Sequence, residues 1–172
     1  MNLKSCAPAW RAAICVFAAI VFALAVPQSG SAQPDPLIGM WVGTWKLNLA
    51  KSTFRPGPPP RSVTLTGVAS GSGVTVTADT VTASGAATHA VFTFIPDGKF
   101  HPITGSQIAD ANAVLKTDPY TAEYAYTKDG TLVQVGSYRF AMDGRSVTIE
   151  TKGLSVIAAG QRVDNIAVYD KQ

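Results

Sequence analysis

The sequence predicts an all-β protein, an antiparallel up-and-down β-barrel of about eight to ten strands. From residue 62 onward apolar and polar residues alternate, and no stretch shows the ~3.6-residue period of a helix. Turn residues interrupt this alternation at the short intervals that are typical of all-β folds. Asp-Gly pairs beginning at Asp97, Asp129 and Asp143 favour tight hairpins between successive strands. A meander of this length avoids exposed edges by closing on itself, which favours a barrel over a sandwich.

Residues 1–32 have the pattern of a cleavable signal peptide. Lys4 and Arg11 form a positive n-region, residues 12–26 are apolar, and small residues stand at the −3 and −1 positions before Gln33. The apolar run is shorter than the ~20 residues of a membrane span, and an uncleaved N-terminal anchor is the alternative. We therefore expect an exported bacterial protein, periplasmic or secreted, with no stable membrane insertion after cleavage.

Residues 33–172 are expected to form a single β-barrel domain that is long enough to bury one core. The leader contains two basic residues and no acid, so the formal net charge falls from +3 to +1 without it. No basic cluster remains, which speaks against a nucleic-acid partner. Both cysteines, Cys6 and Cys15, lie in the leader. The mature domain therefore has no disulfide, no thiolate metal site and no cysteine nucleophile.

The first strand is expected within Gly39–Leu49, after a short lead-in. Strand periodicity places Trp41 and Trp45 on the same face of this strand. The prolines between Arg55 and Arg61 exclude a helix, because proline lacks an N–H and clashes with the preceding turn. That segment is predicted to be an extended connection.

Alternation predicts further strands at residues 62–66, 74–78, 90–94, 100–104, 121–127, 131–141, 145–151 and 162–171. Val81 breaks the phase of its strand, which indicates a bulge or a strand end. Pro96–Lys99 is predicted to be a turn, and the alanine-rich stretch Gln107–Lys116 fits either a strand or a short helix. Gly153–Gly160 is predicted to be a loop before the closing strand.

The run Gly43-Thr44-Trp45-Lys46-Leu47 contains a Gly-x-Trp motif, and here the chain resembles the calycins, the barrels of lipocalins and fatty-acid-binding proteins. The resemblance implies that Gly43 and Trp45 close one end of the barrel. It further implies that a basic residue of the last strand covers the Trp45 ring. Arg162 is the candidate for that residue, and Trp41 is expected beside Trp45 in the same structural role.

The C-terminal run Val168–Lys171 is similar to the last strand of the fatty-acid-binding proteins. In that family an Arg-x-Tyr pair on this strand holds the ligand carboxylate. Tyr169 matches the tyrosine, while Ala167 occupies the position of the arginine. The helical lid of the family is also missing, because the proline-rich Arg55–Pro60 stands where its helices would begin.

The whole mature chain also resembles a set of small exported bacterial proteins of unknown function. The shared features are Gly43–Asn48, the pair Lys51-Ser52, the proline-rich Pro56–Pro60, the Asp-Gly turns and Val168–Lys171. This resemblance implies export and an all-β fold, and it carries no activity with it.

Aromatic residues mark the candidate binding surface. An inward-facing aromatic wall with hydroxyl groups suits a small hydrophobic or aromatic molecule. The alternative is ordinary cross-strand packing in a filled core. The predicted ligand-binding residues are Tyr124, Tyr126, Tyr138, Phe140, Phe92, Phe94 and Tyr169.

Catalytic and metal-binding patterns are sparse. His89 and His101 are the only histidines, and their spacing lacks a metal-binding pattern, so we expect no metal and no cofactor. The chain has no Gly-x-Ser-x-Gly elbow. Glu123 and Glu150 are interpreted as solvated strand residues. We expect that the protein is not an enzyme. The alternative is an isomerase-like activity in which tyrosine and histidine act as acid and base.

Two functional hypotheses follow. The first is an exported, non-enzymatic barrel that binds a small apolar ligand in its interior. The second is a structural or interaction domain with a filled core, which contacts partners through the loops Arg55–Arg61 and Gly153–Gly160. The sequence identifies no particular protein partner.

Overall fold

A computed structural model describes residues 35–155 and 160–172. The predicted signal peptide and its cleavage site lie outside these residues. The described elements are helix α1 (Pro36–Trp41), strand β1 (Gly43–Leu47), a 3₁₀ turn (Leu49–Lys51), and strands β2 (Ser62–Ser70), β3 (Gly73–Val81), β4 (Ala87–Phe94), β5 (Asp97–Thr104), β6 (Ala111–Asp118), β7 (Thr121–Lys128), β8 (Thr131–Phe140), β9 (Ser146–Leu154) and β10 (Arg162–Lys171). No helix among the described residues is long and apolar enough to cross a membrane.

The ten strands form a closed antiparallel barrel, as the alternation and the turns predicted. Each strand from β2 to β10 pairs with its neighbour in sequence, and β1 lies between β2 and β10. In β3, for example, Val74 and Val76 point inward and are fully buried, while Thr75 and Thr77 are only partly buried on the other face. This two-residue period places the apolar half of each strand inside.

The prediction of a strand through Trp41 is wrong, because residues 36–41 form α1. Asp35 caps this helix by accepting a hydrogen bond from the Leu37 amide at 3.0 Å, and Pro36 occupies the first turn, where its missing N–H costs nothing. Gly43, with φ of +118°, then redirects the chain into β1. Trp41 therefore reaches Trp45 from a helix and not from the same strand.

Helix α1 plugs one end of the barrel, which we call the closed end. The side chains of Leu37 and Trp41 are fully buried. The Trp41 ring contacts four aromatic rings, those of Trp45, Phe94, Tyr138 and Phe140, at centroid distances of 5.3–6.3 Å. Trp45 Nε1 also donates a hydrogen bond to the Trp41 carbonyl at 3.2 Å. The plug is thus part of the core.

An ion pair fixes the start of this plug to the barrel wall. Lys116 Nζ lies 2.8 Å and 2.9 Å from the two Asp35 carboxylate oxygens. Burial by itself raises the pKa of Asp35, but the hydrogen bonds from Lys116 and from the Leu37 amide outweigh it and hold the pKa below its usual value. The carboxylate therefore favours the folded state when it is ionised.

Asp35→Asn should lower the stability at neutral pH and flatten its acid dependence. The stabilisation by Asp35 is fully present above its unfolded-state pKa of ~4, and it is lost as the pH falls through the lower folded-state pKa. Urea unfolding at about pH 7, 5 and 3 measures this. The exposed Asp164→Asn makes the same charge change and is the control against which Asp35→Asn is compared. An unchanged slope in Asp35→Asn would contradict a stabilising role for this ion pair.

The seam between β1 and β10 is held by backbone pairing and by side chains of the segment that follows β1. Trp45 pairs with Lys171, and β1 ends opposite Tyr169. Asn48 Nδ2 and Lys51 Nζ bind the Asp170 carboxylate at 2.6 Å and 3.1 Å. Ser52, the next residue after Lys51, makes a further contact with β10.

Ser52 connects the segment after β1 to β10. Its hydroxyl donates to the Asn48 carbonyl at 2.7 Å and accepts from the Val168 amide at 2.9 Å. Thr53 then pairs with Ile166, so the chain returns to β10 after the 3₁₀ turn. Asn48, Lys51 and Ser52 therefore help to close the barrel at this seam.

Several boundaries differ from the sequence prediction. The stretch Gln107–Lys116 resolves in favour of a strand, β6, and β3 ends at Val81, where the phase breaks. The predicted turn Pro96–Lys99 instead contains the bulged start of β5. Strand β9 extends to Leu154 because Gly153 pairs with Val163, so the predicted loop begins later. Residues 156–159 of that loop lie outside the described residues.

Candidate binding cavity

The half of the barrel away from α1 contains a cavity of about 270 Å³. The inward faces of β3, β4 and β5 form one side, Tyr126 and Gln134 on β7 and β8 form the other, and the β5–β6 loop lies at the mouth. We call this half the open half. The closed half is filled by the aromatic cluster around Trp41.

Side-chain size explains why only one half is hollow. Along β3 the inward residues Val74 and Val76 are fully buried, whereas Ala78 and Thr80 further along line the cavity. On β4 the order is the same, because Phe94 is fully buried and Ala90 lines the cavity. Small residues at inward positions leave space that large ones fill. The sequence of each strand therefore sets where the packed core ends.

The structure separates the seven aromatic residues that the sequence predicted as a ligand wall. Five are buried members of the core cluster: Tyr124, Tyr138, Phe140, Phe94 and Tyr169. Phe92 and Tyr126 pack against that cluster and also line the cavity. The five core residues form the floor under the cavity rather than its wall.

The register of β7 and β8 places small or polar residues directly opposite two of the tyrosines. Tyr124 lies opposite Gly136, and Tyr126 lies opposite Gln134. Tyr138 instead reaches Tyr124 diagonally, with stacked rings at 4.6 Å. Because Gly136 has no side chain, the Tyr124 ring can pack directly against its backbone.

Hydrogen bonds anchor the tyrosine cluster to the sheet. Tyr124 Oη donates to the Glu150 carbonyl at 3.2 Å and also bonds with the Thr151 hydroxyl. Tyr126 Oη and Tyr138 Oη lie 3.0 Å apart. Burial raises the pKa of Tyr124, Tyr126 and Tyr138 above the usual phenol value, so all three hydroxyls are neutral at physiological pH.

Two buried amides were missed by the sequence analysis. Gln134 lines the cavity and is only 8% exposed. Asn112 is fully buried directly opposite Tyr126, and its Oδ1 has no hydrogen-bond partner among the described residues. The signal was available, because Gln134 shares the inward phase of Tyr138 and Asn112 shares that of Val114. A polar residue at an inward position marks a place where the interior is not purely apolar.

The expected cation over Trp45 is a different residue. Lys171 Nζ lies 5.0 Å from the centre of the Trp45 ring, and it also donates to the Met40 carbonyl at 3.4 Å. Arg162 is exposed at the opposite end of β10, where it pairs with Leu154. The prediction of Arg162 is wrong because an antiparallel last strand brings its C-terminal end, and not its start, to the beginning of β1.

The candidate acid–base residues do not meet in the cavity. His89 is exposed on the outer face of β4 and lies 2.7 Å from Asp79. His101 lies 3.0 Å from Asp97 near the start of β5. Glu123 is exposed on the outer face of β7. Within residues 35–155 and 160–172, no three histidine or acidic side chains lie together as a possible metal site.

A second concave region, of about 500 Å³, lies outside the barrel on β6 to β9. The exposed side chains of Leu115 and Val135 border it, and Glu123, Glu150 and Lys152 supply charges. It is a shallow groove that is open to solvent, in contrast to the more enclosed interior cavity.

Comparison of the chain with protein-family models, with curated proteins and with solved structures gives no match. The closed antiparallel barrel is consistent with the calycin resemblance at the level of fold. The residues and the geometry of the cavity are therefore the basis for a functional proposal.

Proposed function

We propose that this protein is an exported, non-enzymatic β-barrel that binds a small, largely apolar molecule in its interior. The observation that carries the proposal is the cavity of about 270 Å³ in the open half, above a tightly packed aromatic floor. Phe92, Ile103 and Ile108 give this cavity apolar contact area, and threonine hydroxyls lie near its mouth. Concave, mostly apolar sites with a few polar groups are the usual form of small-molecule sites.

The contrast between the packed closed half and the hollow open half also supports a binding role. The closed half combines α1, the ring contacts of Trp41 and the seam with β10, whereas the cavity wall consists of small residues on paired strands. A preformed site of this kind loses little conformational entropy on binding. In this proposal residues 1–32 act as a signal peptide, and the protein works in the periplasm or outside the cell, where it would meet ligands from the environment.

Filling the cavity should abolish binding of an apolar probe. Ala90→Phe places a ring in the cavity, while Ala87→Phe makes the same change on the outer face of β4. We expect naphthalene to shift the amide NMR signals of inward-facing β3 and β4 residues in the wild type and in Ala87→Phe. In Ala90→Phe the shifts should be lost, a reduction in affinity of at least about tenfold.

Thermal unfolding of both variants confirms that they are folded before the titration. Equal naphthalene binding by Ala90→Phe and Ala87→Phe would place the probe outside the cavity and reject the proposal. Native mass spectrometry of the protein purified from the periplasm is the complementary measurement, and we expect it to detect a co-purified small molecule.

The outer groove supports a second candidate, a surface that contacts another macromolecule. Leu115 and Val135 are 55% and 43% exposed there, between the charged side chains of Glu123, Glu150 and Lys152. Leu115→Ser together with Val135→Ser should leave naphthalene binding unchanged if the cavity is the functional site. If the wild type captures a protein partner from periplasmic extract and the double variant, with intact naphthalene binding, does not, the surface is favoured instead.

A further inference from the structure

Two polar side chains face each other across β7 and β8 where the cavity meets its aromatic floor. Tyr126 and Gln134 are direct cross-strand partners, and both line the cavity. Among the described residues of β7 and β8, these two line the cavity, and Tyr126 also packs against the aromatic cluster. Their hydrogen-bonding capacity decides which kind of ligand the cavity accepts.

The hydroxyl groups of Tyr126 and Tyr138 carry two protons between them, and only one of these protons takes part in the hydrogen bond that joins them. The two oxygens lie 3.0 Å apart and share one hydrogen bond, although each carries a proton. Tyr138 is 1% exposed, and among the described residues its hydroxyl has no other hydrogen-bond partner. A buried donor is costly when it is unsatisfied, so Tyr138 donates and Tyr126 accepts. The proton of Tyr126, which lines the cavity, remains available.

The Gln134 amide is a second unused group. The side chain is 8% exposed, and its amide forms no hydrogen bond with any residue that the structure describes. A glutamine amide offers two N–H donors and one acceptor oxygen. The amide atoms are not among the buried unpaired atoms of the described residues and are accessible at the cavity wall. A ligand that enters the cavity can therefore form hydrogen bonds with them.

Charge narrows the ligand class further. None of the described residues that line the cavity is charged. Burial raises the pKa of Tyr126, so its hydroxyl stays protonated and remains a donor. An anion entering this site would lose its hydration without meeting a cation, and a cation would meet no carboxylate. The position of the family arginine, Ala167, supplies no charge either.

We propose that the cavity selects a small, uncharged, largely apolar molecule with a carbonyl group, whose oxygen accepts hydrogen bonds from Tyr126 Oη and Gln134 Nε2. This inference rests on the proposed interior binding function. The apolar part of the molecule lies against Phe92 and Ile103, and the carbonyl points to the floor. Tyr138 contributes indirectly, because its own hydrogen bond leaves the Tyr126 proton free.

A matched series of three probes tests the selection. Acetophenone carries the neutral carbonyl, α-methylstyrene has the same shape with a methylene in place of the oxygen, and benzoate carries a charge. We expect isothermal titration to give the tightest binding for acetophenone, by about three- to tenfold over α-methylstyrene. Benzoate should bind most weakly. The infrared carbonyl stretch of bound acetophenone should shift to lower frequency relative to an apolar solvent.

Two variants locate the hydrogen bonds. Tyr126→Phe and Gln134→Met should each weaken acetophenone binding about three- to tenfold while leaving α-methylstyrene within about twofold. Each should also move the carbonyl stretch back towards its apolar-solvent value, which a change in packing alone would not do. Tyr120→Phe, outside the cavity, is the matched control with no expected effect. Gln134→Met keeps the test decisive if Tyr126→Phe does not fold.

The outcomes distinguish the two levels of the proposal. If none of the three probes binds, both the interior binding function and the carbonyl selection fail. If α-methylstyrene binds as tightly as acetophenone, or benzoate binds most tightly, the cavity binds ligands but the carbonyl inference is wrong. An unshifted carbonyl stretch in the wild type would likewise overturn it.

Discussion

Trp41→Ala should lower the free energy of unfolding by about 3 to 5 kcal/mol, as expected for removing a fully buried large aromatic side chain. The indole is completely buried and contacts the rings of Trp45, Phe94, Tyr138 and Phe140. Its removal leaves a cavity between α1 and the barrel, which the surrounding strands can close only in part. Such a loss is a large fraction of the ~5–15 kcal/mol that stabilises a typical domain.

Urea unfolding, followed by far-UV circular dichroism, measures this effect. Trp41→Phe should cost less, because it keeps an aromatic ring and removes the buried Nε1, which has no hydrogen-bond partner among the described residues. Met142→Ala is the control, since Met142 is 82% exposed and its truncation should change the stability by less than about 0.5 kcal/mol. A loss below about 1 kcal/mol in Trp41→Ala would show that α1 does not plug the barrel.

Gly136→Ala should lower the free energy of unfolding of the barrel by about 3 kcal/mol or more. Within a strand, alanine is ordinarily less destabilising than glycine, so the expected loss comes from the local packing. A Cβ atom at this position would lie 1.8 Å from the Glu150 carbonyl oxygen and 2.6 Å from Tyr124 Oη. The carbonyl belongs to the paired strand β9 and cannot move without breaking the sheet. Tyr124 would also lose its place against the glycine backbone.

The effect of Gly136→Ala on ligand binding tests whether the packing of the aromatic floor influences the cavity above it. Tyr124 stacks on Tyr138, which bonds with Tyr126 at the cavity. We therefore expect weaker acetophenone binding as well as lower urea stability. Gly39→Ala is the matched control: a Cβ atom at Gly39 would meet no described atom within 4 Å, and alanine should stabilise helix α1 by about 0.5 to 1 kcal/mol. Equal stability of Gly136→Ala and the wild type would refute the close packing at β8.

The site was only partly visible from the sequence. Alternation grouped Phe92 with Phe94 and Tyr124 with Tyr126 on one face of their strands, because every second side chain of a strand points to the same face. It did not separate Phe92 and Tyr126, which line the cavity, from Phe94 and Tyr138, which are buried in the floor. That distinction depends on which inward side chains are large at the same height of the barrel, and residues far apart in sequence decide it.

Register was a second limit of the sequence. The pairing of Tyr126 with Gln134 follows from the tight hairpin at Lys128–Thr131 and from the bulge between Tyr126 and Thr127, which moves the partner of Tyr126 by one residue, from Val133 to Gln134. Similarly, the choice of Lys171 over Arg162 against Trp45 follows from the direction in which β10 meets β1. A resemblance to a family motif cannot supply these pairings.

What the sequence determined by itself is the class of the fold, an antiparallel up-and-down barrel of about eight to ten strands, most of them joined by short turns. These features are local, because turn residues and a two-residue period act within a few positions. The tertiary structure alone decided that Trp41 belongs to a helical plug, that one half of the interior is filled, and that Tyr126 and Gln134 face a cavity. Those outcomes depend on volumes and hydrogen bonds shared between distant strands, which no single stretch of the chain contains.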